Sequence, residues 1–126
     1  MPVPVEGLIA PAEDIFDCVQ ICASIDEAAA SASDGRALRA DVVKILMAAR
    51  KSGNATIEAA FEAAPFAARP LTRSYSWLTD CVIACAYHVA TNHLHPISTP
   101  TEGERIALFA VGGYGRGEMA PQSDVD

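Results

Sequence analysis

Apolar side chains recur every three or four residues over most of the chain before Pro96, which is the spacing of amphipathic helices. After an irregular, proline-containing start, the pattern predicts a first helix from Ala12 to about Ala32. A second helix is better defined, because Asp34 can cap its first turn and an apolar stripe follows. That stripe consists of Leu38, Val42, Ile45, Leu46 and Ala49.

Glycine and proline suggest where the helices end. Gly53 can stop the second helix, and Asn54 can then cap a third, shorter helix that ends near Pro65. A long fourth helix is predicted over residues 72–93, and Pro96 cannot continue it.

The pattern changes after a turn-rich linker over residues 96–103. Arg105 to Val111 reads RIALFAV, a short apolar run bounded by the linker and by glycines, which is typical of a buried strand. We therefore predict an α+β architecture with two parts. Residues 1–103 form a helical region, and residues 104–126 begin a second, strand-containing domain.

Composition narrows the classes of function. The chain has 126 residues, and its net charge is −7. An acidic chain is poorly suited to binding a nucleic-acid backbone or an anionic membrane through charge. The start of the chain lacks the basic and apolar regions of a signal peptide, so we expect a cytoplasmic protein with reduced cysteines.

The strongest chemical signal is a glycine-rich turn after the predicted strand. Gly112 and Gly113 would let a phosphate approach the backbone, and a helix starting there would point free N–H groups at it. Arg116 is a fork-shaped cation that can meet a phosphate.

Two carboxylates follow this turn. Asp124 and Asp126 are two residues apart, so on a strand they would share one face. Paired oxygen ligands suit Mg²⁺, which can also carry a nucleoside triphosphate to an acidic protein. A glycine turn followed by D-x-D therefore predicts a site for metal-assisted transfer at phosphorus.

The run VGGYGRGEMAPQSDVD resembles the signature of the bacterial PII uridylyltransferase/uridylyl-removing enzymes. That family belongs to the DNA polymerase β-like nucleotidyltransferase superfamily, whose pattern is a glycine turn and then D-x-D. The segment from Gly115 to Glu118, Pro121 and the following Ser-Asp-Val-Asp narrow the match to the uridylyltransferases. The helical region resembles the family's N-terminal part more loosely.

The resemblance implies a role for each matching residue. Gly112, Gly113, Arg116 and Ser123 would bind the nucleotide. Asp124 and Asp126 would be the catalytic residues and the ligands of Mg²⁺. Glu118 matches the motif and is expected to be structural.

The resemblance also implies a reaction, the transfer of UMP from UTP to a tyrosine of the PII signalling protein. The whole enzyme would also remove UMP and respond to glutamine. The sequence given stops at Asp126, before a third carboxylate expected in this superfamily, so we expect this chain alone to be inactive. Two alternatives are a non-catalytic helical scaffold or regulatory fragment, and an enzyme like the glutamine-synthetase adenylyltransferases.

Cysteine and histidine residues offer further chemistry. Cys18 and Cys22 are four residues apart, as are Cys81 and Cys85, so two pairs of thiols could in principle form a zinc site. Because all four fall on or near apolar stripes, packing in the core is the favoured interpretation. A final group lies toward the end of the long helix and is expected to have surface or capping roles: His88, His93 and His95.

Overall fold

The computed structural model describes residues 1–98, 101, 103 and 105–125. Five α-helices and one π-helical turn follow one another along this part of the chain. The helices are α1 (Ala12–Ile15), α2 (Cys18–Ser31), α3 (Gly35–Ala63), α4 (Ala68–Val89) and α5 (Gly112–Gly115), and the π-helical turn (Ala90–Leu94) directly extends α4.

Helices α2, α3 and α4 pack against one another around a single core, and α1 packs on α3 and α4. Ile25, Ile57 and Leu78, one from each long helix, are almost completely buried there. Burying an aliphatic side chain of this size contributes about 1.5–3 kcal/mol. The apolar stripe predicted for the second helix does face this core: Leu38 and Val42 are buried in it, and the rest of the stripe packs against it partly buried.

The predicted break inside α3 is wrong. The helix runs without interruption through Gly53 and Asn54 to Ala63, although the Asp34 side chain does cap its start by accepting from the Ala37 N–H at 2.7 Å. Gly53 is buried where α3 crosses its neighbours: a Cβ placed there would lie 2.6 Å from the Ile15 carbonyl oxygen and 2.7 Å from Leu78 Cδ1. The glycine permits close packing rather than a helix end.

Two other boundaries also differ from the prediction. The first predicted helix is divided into α1 and α2 at Phe16 and Asp17, and Asp17 caps α2 through the Gln20 N–H at 3.0 Å. Helix α4 begins four residues earlier than predicted, at Ala68, so Pro70 lies inside its first turn. A proline is tolerated there because the first N–H groups of a helix have no acceptor within it.

The α+β prediction is wrong for the part of the chain that the structure describes, where every regular element is a helix. Residues 105–111, predicted to form a buried strand, have no regular structure, and Ile106, Leu108 and Phe109 are exposed. A β-strand is stabilised by hydrogen bonds to a neighbouring strand, and the described residues provide no such neighbour. The apolar sequence of this segment therefore does not by itself show that a second strand is available to pair with it.

The N-terminal residues cross α4. The Ile9 N–H donates to Ser74 Oγ at 2.9 Å, and Arg73 Nη1 donates to the Glu6 carbonyl oxygen at 3.2 Å. Helix α4 therefore contacts the N-terminal segment as well as the other helices. Within the described ranges, none of the helices combines the length and apolar character needed to span a membrane.

Candidate functional site: a glycine turn held on α4

The glycine-rich motif forms a short turn around α5. Gly112 has a φ of 64°, a left-handed conformation that favours glycine. The turn is closed by hydrogen bonds from the Gly115 N–H to the Val111 carbonyl oxygen at 2.9 Å and from the Glu118 N–H to the Gly113 carbonyl oxygen at 2.8 Å. A helix does begin at the glycines, as expected, but it is only one turn long.

Gly115 is required by a close backbone approach. A Cβ at this position would lie 2.4 Å from the Ala110 carbonyl oxygen and 2.8 Å from the Ala110 carbonyl carbon, and backbone atoms cannot easily move aside. At Gly113 the nearest atom to such a Cβ is the Glu118 carbonyl oxygen at 3.4 Å, which is a tight contact but not a clash. The geometry of the turn itself therefore explains part of the glycine pattern.

Tyr114 anchors the turn to α4. Its ring is buried, and its hydroxyl donates a short hydrogen bond to Asp80 Oδ1. Burial raises the pKa of the Tyr114 hydroxyl far above its usual range, and the neighbouring Asp80 carboxylate adds to this effect. Tyr114 therefore remains protonated and acts as a donor.

Met119 provides a second anchor after the turn. Its backbone N–H donates to Ser76 Oγ at 3.1 Å, and Thr79 Oγ1 lies 3.2 Å from its sulfur. The Met119 side chain is buried in the same core as the helices. One face of α4 therefore holds the glycine turn at two points, Tyr114 and Met119.

The positioning residues Ser76, Thr79 and Asp80 were not identified from the sequence. They lie about forty residues before the motif, and nothing in their local pattern distinguishes them from polar residues on an ordinary helix face. The only sequence signal for this role is their spacing of three and four residues, which places them on one face of the helix.

Arg116 and Glu118 face each other on the surface. Arg116 Nε lies 3.4 Å from Glu118 Oε2, and both side chains are more than half exposed. An exposed pair of this kind contributes at most about 1 kcal/mol to stability. The guanidinium group predicted to meet a phosphate is therefore accessible, with a weakly held carboxylate beside it.

The predicted metal ligands are not brought to the glycine turn by any described contact. Asp124 is exposed, and its backbone carbonyl oxygen accepts from Ser123 Oγ at 3.3 Å. Asp126 lies outside the described residues. The pairing of the two carboxylates with the turn remains a prediction from the sequence.

A cavity of about 820 Å³ is lined by residues of α4, of the glycine turn and of the segment before that turn. Its lining includes Asp80, Tyr87 and His88 of α4, Tyr114 of the turn, and Leu108 and Phe109 from the irregular segment. The Tyr114–Asp80 anchor thus forms part of its wall.

The thiols lie where α2 packs on α4. Cys22 Sγ is 3.3 Å from Cys85 Sγ, and Cys22, Cys81 and Cys85 are all buried in the core, with Cys18 partly exposed. Burial raises the pKa of Cys81 and of Cys85 far above the usual value, so these thiols stay neutral. Their surroundings match those of packed, unreactive side chains.

Comparison with known proteins identifies the relatives of this chain. It is 56% identical over 112 residues to a bifunctional uridylyltransferase/uridylyl-removing enzyme of Ruegeria pomeroyi, covering 89% of this chain and 12% of that protein. Enzymes with the same name from Cereibacter sphaeroides and Rhodospirillum rubrum are 46% identical over 122 residues and 34% identical over 112 residues. These two alignments cover 95% and 89% of this chain and 13% and 12% of the respective enzymes.

No family model matches the chain, and no solved structure matches it. These three relatives nevertheless indicate its family, since each is named a bifunctional uridylyltransferase/uridylyl-removing enzyme. The chain is homologous to the family of bifunctional uridylyltransferase/uridylyl-removing enzymes, as the glycine-rich motif suggested. It spans roughly one eighth of the length of these relatives.

Proposed function

We propose that this chain contributes the helical lead-in and the nucleotide-binding turn of an enzyme that transfers UMP from UTP to a tyrosine of the PII signalling protein. The observation that carries the proposal is 56% identity to a bifunctional uridylyltransferase/uridylyl-removing enzyme over 89% of the chain. The larger enzyme would also remove UMP, respond to glutamine and act in the cytoplasm.

The residues of the motif have separate roles in this proposal. Gly112 and Gly113 present a surface without side chains to the triphosphate, and Ser123 adds a hydroxyl. Arg116 exchanges its exposed partner Glu118 for a phosphate oxygen, which is a cheap exchange because surface ion pairs are weak. Asp124 and Asp126 hold Mg²⁺.

In this proposal the helical region holds the glycine turn in a fixed position. Because Tyr114 and Met119 are both fastened to α4, the bundle fixes the turn on a packed helix rather than on a free loop. Sites held by rigid elements lose less free energy to ordering when a ligand binds. Mg²⁺, when bound, supplies charge neutralisation at the phosphates, and the chain's own contribution is to position the turn.

A chimeric enzyme tests the proposal. The aligned segment of the Ruegeria pomeroyi relative is replaced by this chain, and incorporation of labelled UMP into a PII protein is measured with Mg²⁺ and UTP. We expect activity in the chimera, and a loss of at least about a hundredfold in its Asp124→Asn variant because a metal ligand is removed. Glu13→Gln on the surface of α1 serves as the matched control for the loss of one carboxylate.

Three results would contradict parts of this proposal. Full activity of the Asp124→Asn chimera would exclude a catalytic role for this residue. Incorporation from ATP but not from UTP would favour an adenylyltransferase. Transfer by the 126-residue chain alone would contradict the expectation that it is inactive.

A further inference from the structure

Three side chains with metal-binding groups meet on the surface far from the glycine motif in sequence. Asp26 projects from α2, His88 lies on α4 and His93 lies in the π-helical turn. His88 Nε2 is 2.8 Å and His93 Nε2 is 2.7 Å from the same atom, Asp26 Oδ1. Within the described part of the chain, this is the group of such side chains whose ligand atoms all lie within 4.8 Å of one another.

The π-helical turn creates this arrangement. His88 and His93 are five residues apart, and in an α-helix that spacing would place them about 140° apart around the axis. The wider turn, closed by the His95 N–H donating to the Ala90 carbonyl oxygen at 2.8 Å, rotates His93 back toward His88. The two imidazole rings then stand edge to face, with their centroids 5.7 Å apart.

We propose that Asp26, His88 and His93 form a binding site for a divalent transition-metal ion of the Zn²⁺ class, which links α2 to the end of α4. Two imidazoles and one carboxylate are ligands that Zn²⁺, Co²⁺ and Ni²⁺ accept, whereas Mg²⁺ and Ca²⁺ require oxygen ligands. Water would complete the coordination. The proposal uses none of the residues assigned to uridylyl transfer and does not depend on that assignment.

The geometry needs only a small adjustment. Tetrahedral ligands bound at about 2.0–2.2 Å lie about 3.3 Å apart, so each nitrogen–oxygen distance must open by about half an ångström. The Asp26 side chain is 51% exposed, and the histidines are 26% and 25% exposed, so the carboxylate is free to move outward. The carboxylate now accepts a hydrogen bond from each histidine Nε2, and the bound ion would replace these two hydrogen bonds.

The hydrogen bonds of Asn92 oppose the His88 tautomer that metal binding requires. Asn92 Nδ2 lies 3.1 Å from His88 Nδ1 and 2.9 Å from the His88 carbonyl oxygen. Donation to Nδ1 favours the tautomer that carries its proton on Nε2, whereas a metal on Nε2 requires the proton on Nδ1. Rotating the amide would present its oxygen to that proton but would give up the bond to the carbonyl, so we expect moderate affinity.

Calorimetry and thermal melting of the 126-residue chain test the site, after treatment with a chelator and in the presence of a reductant. We expect one Zn²⁺ per chain and a rise in Tm of at least about 3 °C at saturating Zn²⁺. Asp26→Asn and His93→Ala should each weaken binding by at least about tenfold. Both residues are partly exposed, so these variants are expected to fold, which circular dichroism confirms.

The matched controls change neighbouring residues of the same types. Glu27→Gln removes the next carboxylate on α2, and His95→Ala removes the histidine that follows the π-helical turn; both should leave the affinity unchanged. Equal losses in His95→Ala and His93→Ala, or no measurable binding of Zn²⁺ to the parent chain, would overturn the proposal.

Cobalt separates this site from the thiols. Co²⁺ held by nitrogen and oxygen ligands shows weak visible bands without the intense near-ultraviolet charge-transfer bands of cobalt thiolates. We expect the weak bands alone, with intensity lost in Asp26→Asn. Charge-transfer bands that persist in Asp26→Asn would assign the metal to the cysteines instead and would refute the proposal.

Discussion

The Tyr114 hydroxyl donates to Asp80 Oδ1, which joins the glycine turn to the middle of α4 across 34 positions of sequence. The ring of Tyr114 is buried beside this bond, so the contact combines apolar packing with a hydrogen bond to a charged acceptor. Hydrogen bonds of this kind contribute about 1.5–3 kcal/mol. The tyrosine is therefore a main point of attachment for the motif.

Tyr114→Phe is expected to loosen the turn while leaving the bundle folded. The substitution keeps the ring in place but removes the donor, so amide hydrogen exchange at residues 112–119 should accelerate by about tenfold or more, the equivalent of about 1.4 kcal/mol. Tyr87→Phe on α4 is the control, because Tyr87 is 40% exposed. Unchanged exchange in Tyr114→Phe would show that the ring alone holds the turn.

Gly53→Ala is expected to destabilise the bundle. Alanine favours a helix by about 1 kcal/mol, but its Cβ would meet the Ile15 carbonyl oxygen at 2.6 Å, and relieving such a contact costs about 1–3 kcal/mol. We expect a net loss of up to about 2 kcal/mol in urea unfolding, the clash cost less the helix gain. Gly35→Ala is the contrasting variant, since its Cβ would meet only Leu94 Cδ2 at 3.6 Å; it should be neutral or stabilising. A stabilised Gly53→Ala would mean that the helices separate easily.

Asp34→Ala is expected to cost about 0.5–2 kcal/mol in the same unfolding experiment. The Asp34 carboxylate accepts from the Ala37 N–H at 2.7 Å at the start of the longest helix, and alanine leaves that donor without a side-chain partner. Asp34→Asn, which retains an acceptor, should recover most of the loss. If both variants lose the same stability, the charge rather than the cap is responsible.

Stability should fall in alkaline solution because of the buried thiols. The folded state raises the pKa of Cys81 and Cys85, so both keep their protons in the fold while the unfolded chain releases them above about pH 8.5. The contribution of these two thiols to the free energy of unfolding is therefore fully present below that pH. It declines as the pH rises, by up to about 1.4 kcal/mol per pH unit for each thiol.

Urea unfolding between pH 7 and pH 10 measures this slope. Cys81→Ala should be less stable at pH 7, because it leaves a small cavity, but should lose less stability on going to pH 10. Ser24→Ala, at a partly exposed position of α2, should shift neither value. Identical slopes for the parent chain and Cys81→Ala would show that this thiol does not titrate differently on folding.

The sequence predicted those features that depend on neighbouring residues. The cap at Asp34 and the apolar stripe of α3 follow from local rules and are confirmed. The prediction at Gly53 is wrong because glycine can end a helix by its backbone freedom but also permits close packing. The nearby Ile15 carbonyl oxygen and Leu78 side chain, which are distant in sequence, distinguish the two roles. The strand predicted for residues 105–111 likewise depends on a distant feature, a second strand with which to form hydrogen bonds.

Whether a site residue can be predicted also depends on its distance in sequence from its partners. The glycines and carboxylates of the motif are visible as a pattern because they are close in sequence. The Asp80 anchor and the meeting of Asp26 with His88 and His93 are separated by 34 to 67 positions, and the π-helical turn shifts the register of His93. No rule of helical spacing predicts such a shift.

The exposed segment before the glycine turn affects how the chain behaves in solution. Ile106 is 63% exposed, Phe109 is 82% exposed and Val111 is 54% exposed, and this patch carries no acidic side chain of its own. Apolar surface of this kind promotes self-association and precipitation. The purified 126-residue chain should therefore aggregate with increasing concentration, and Phe109→Ser should improve its solubility more than a substitution within the bundle.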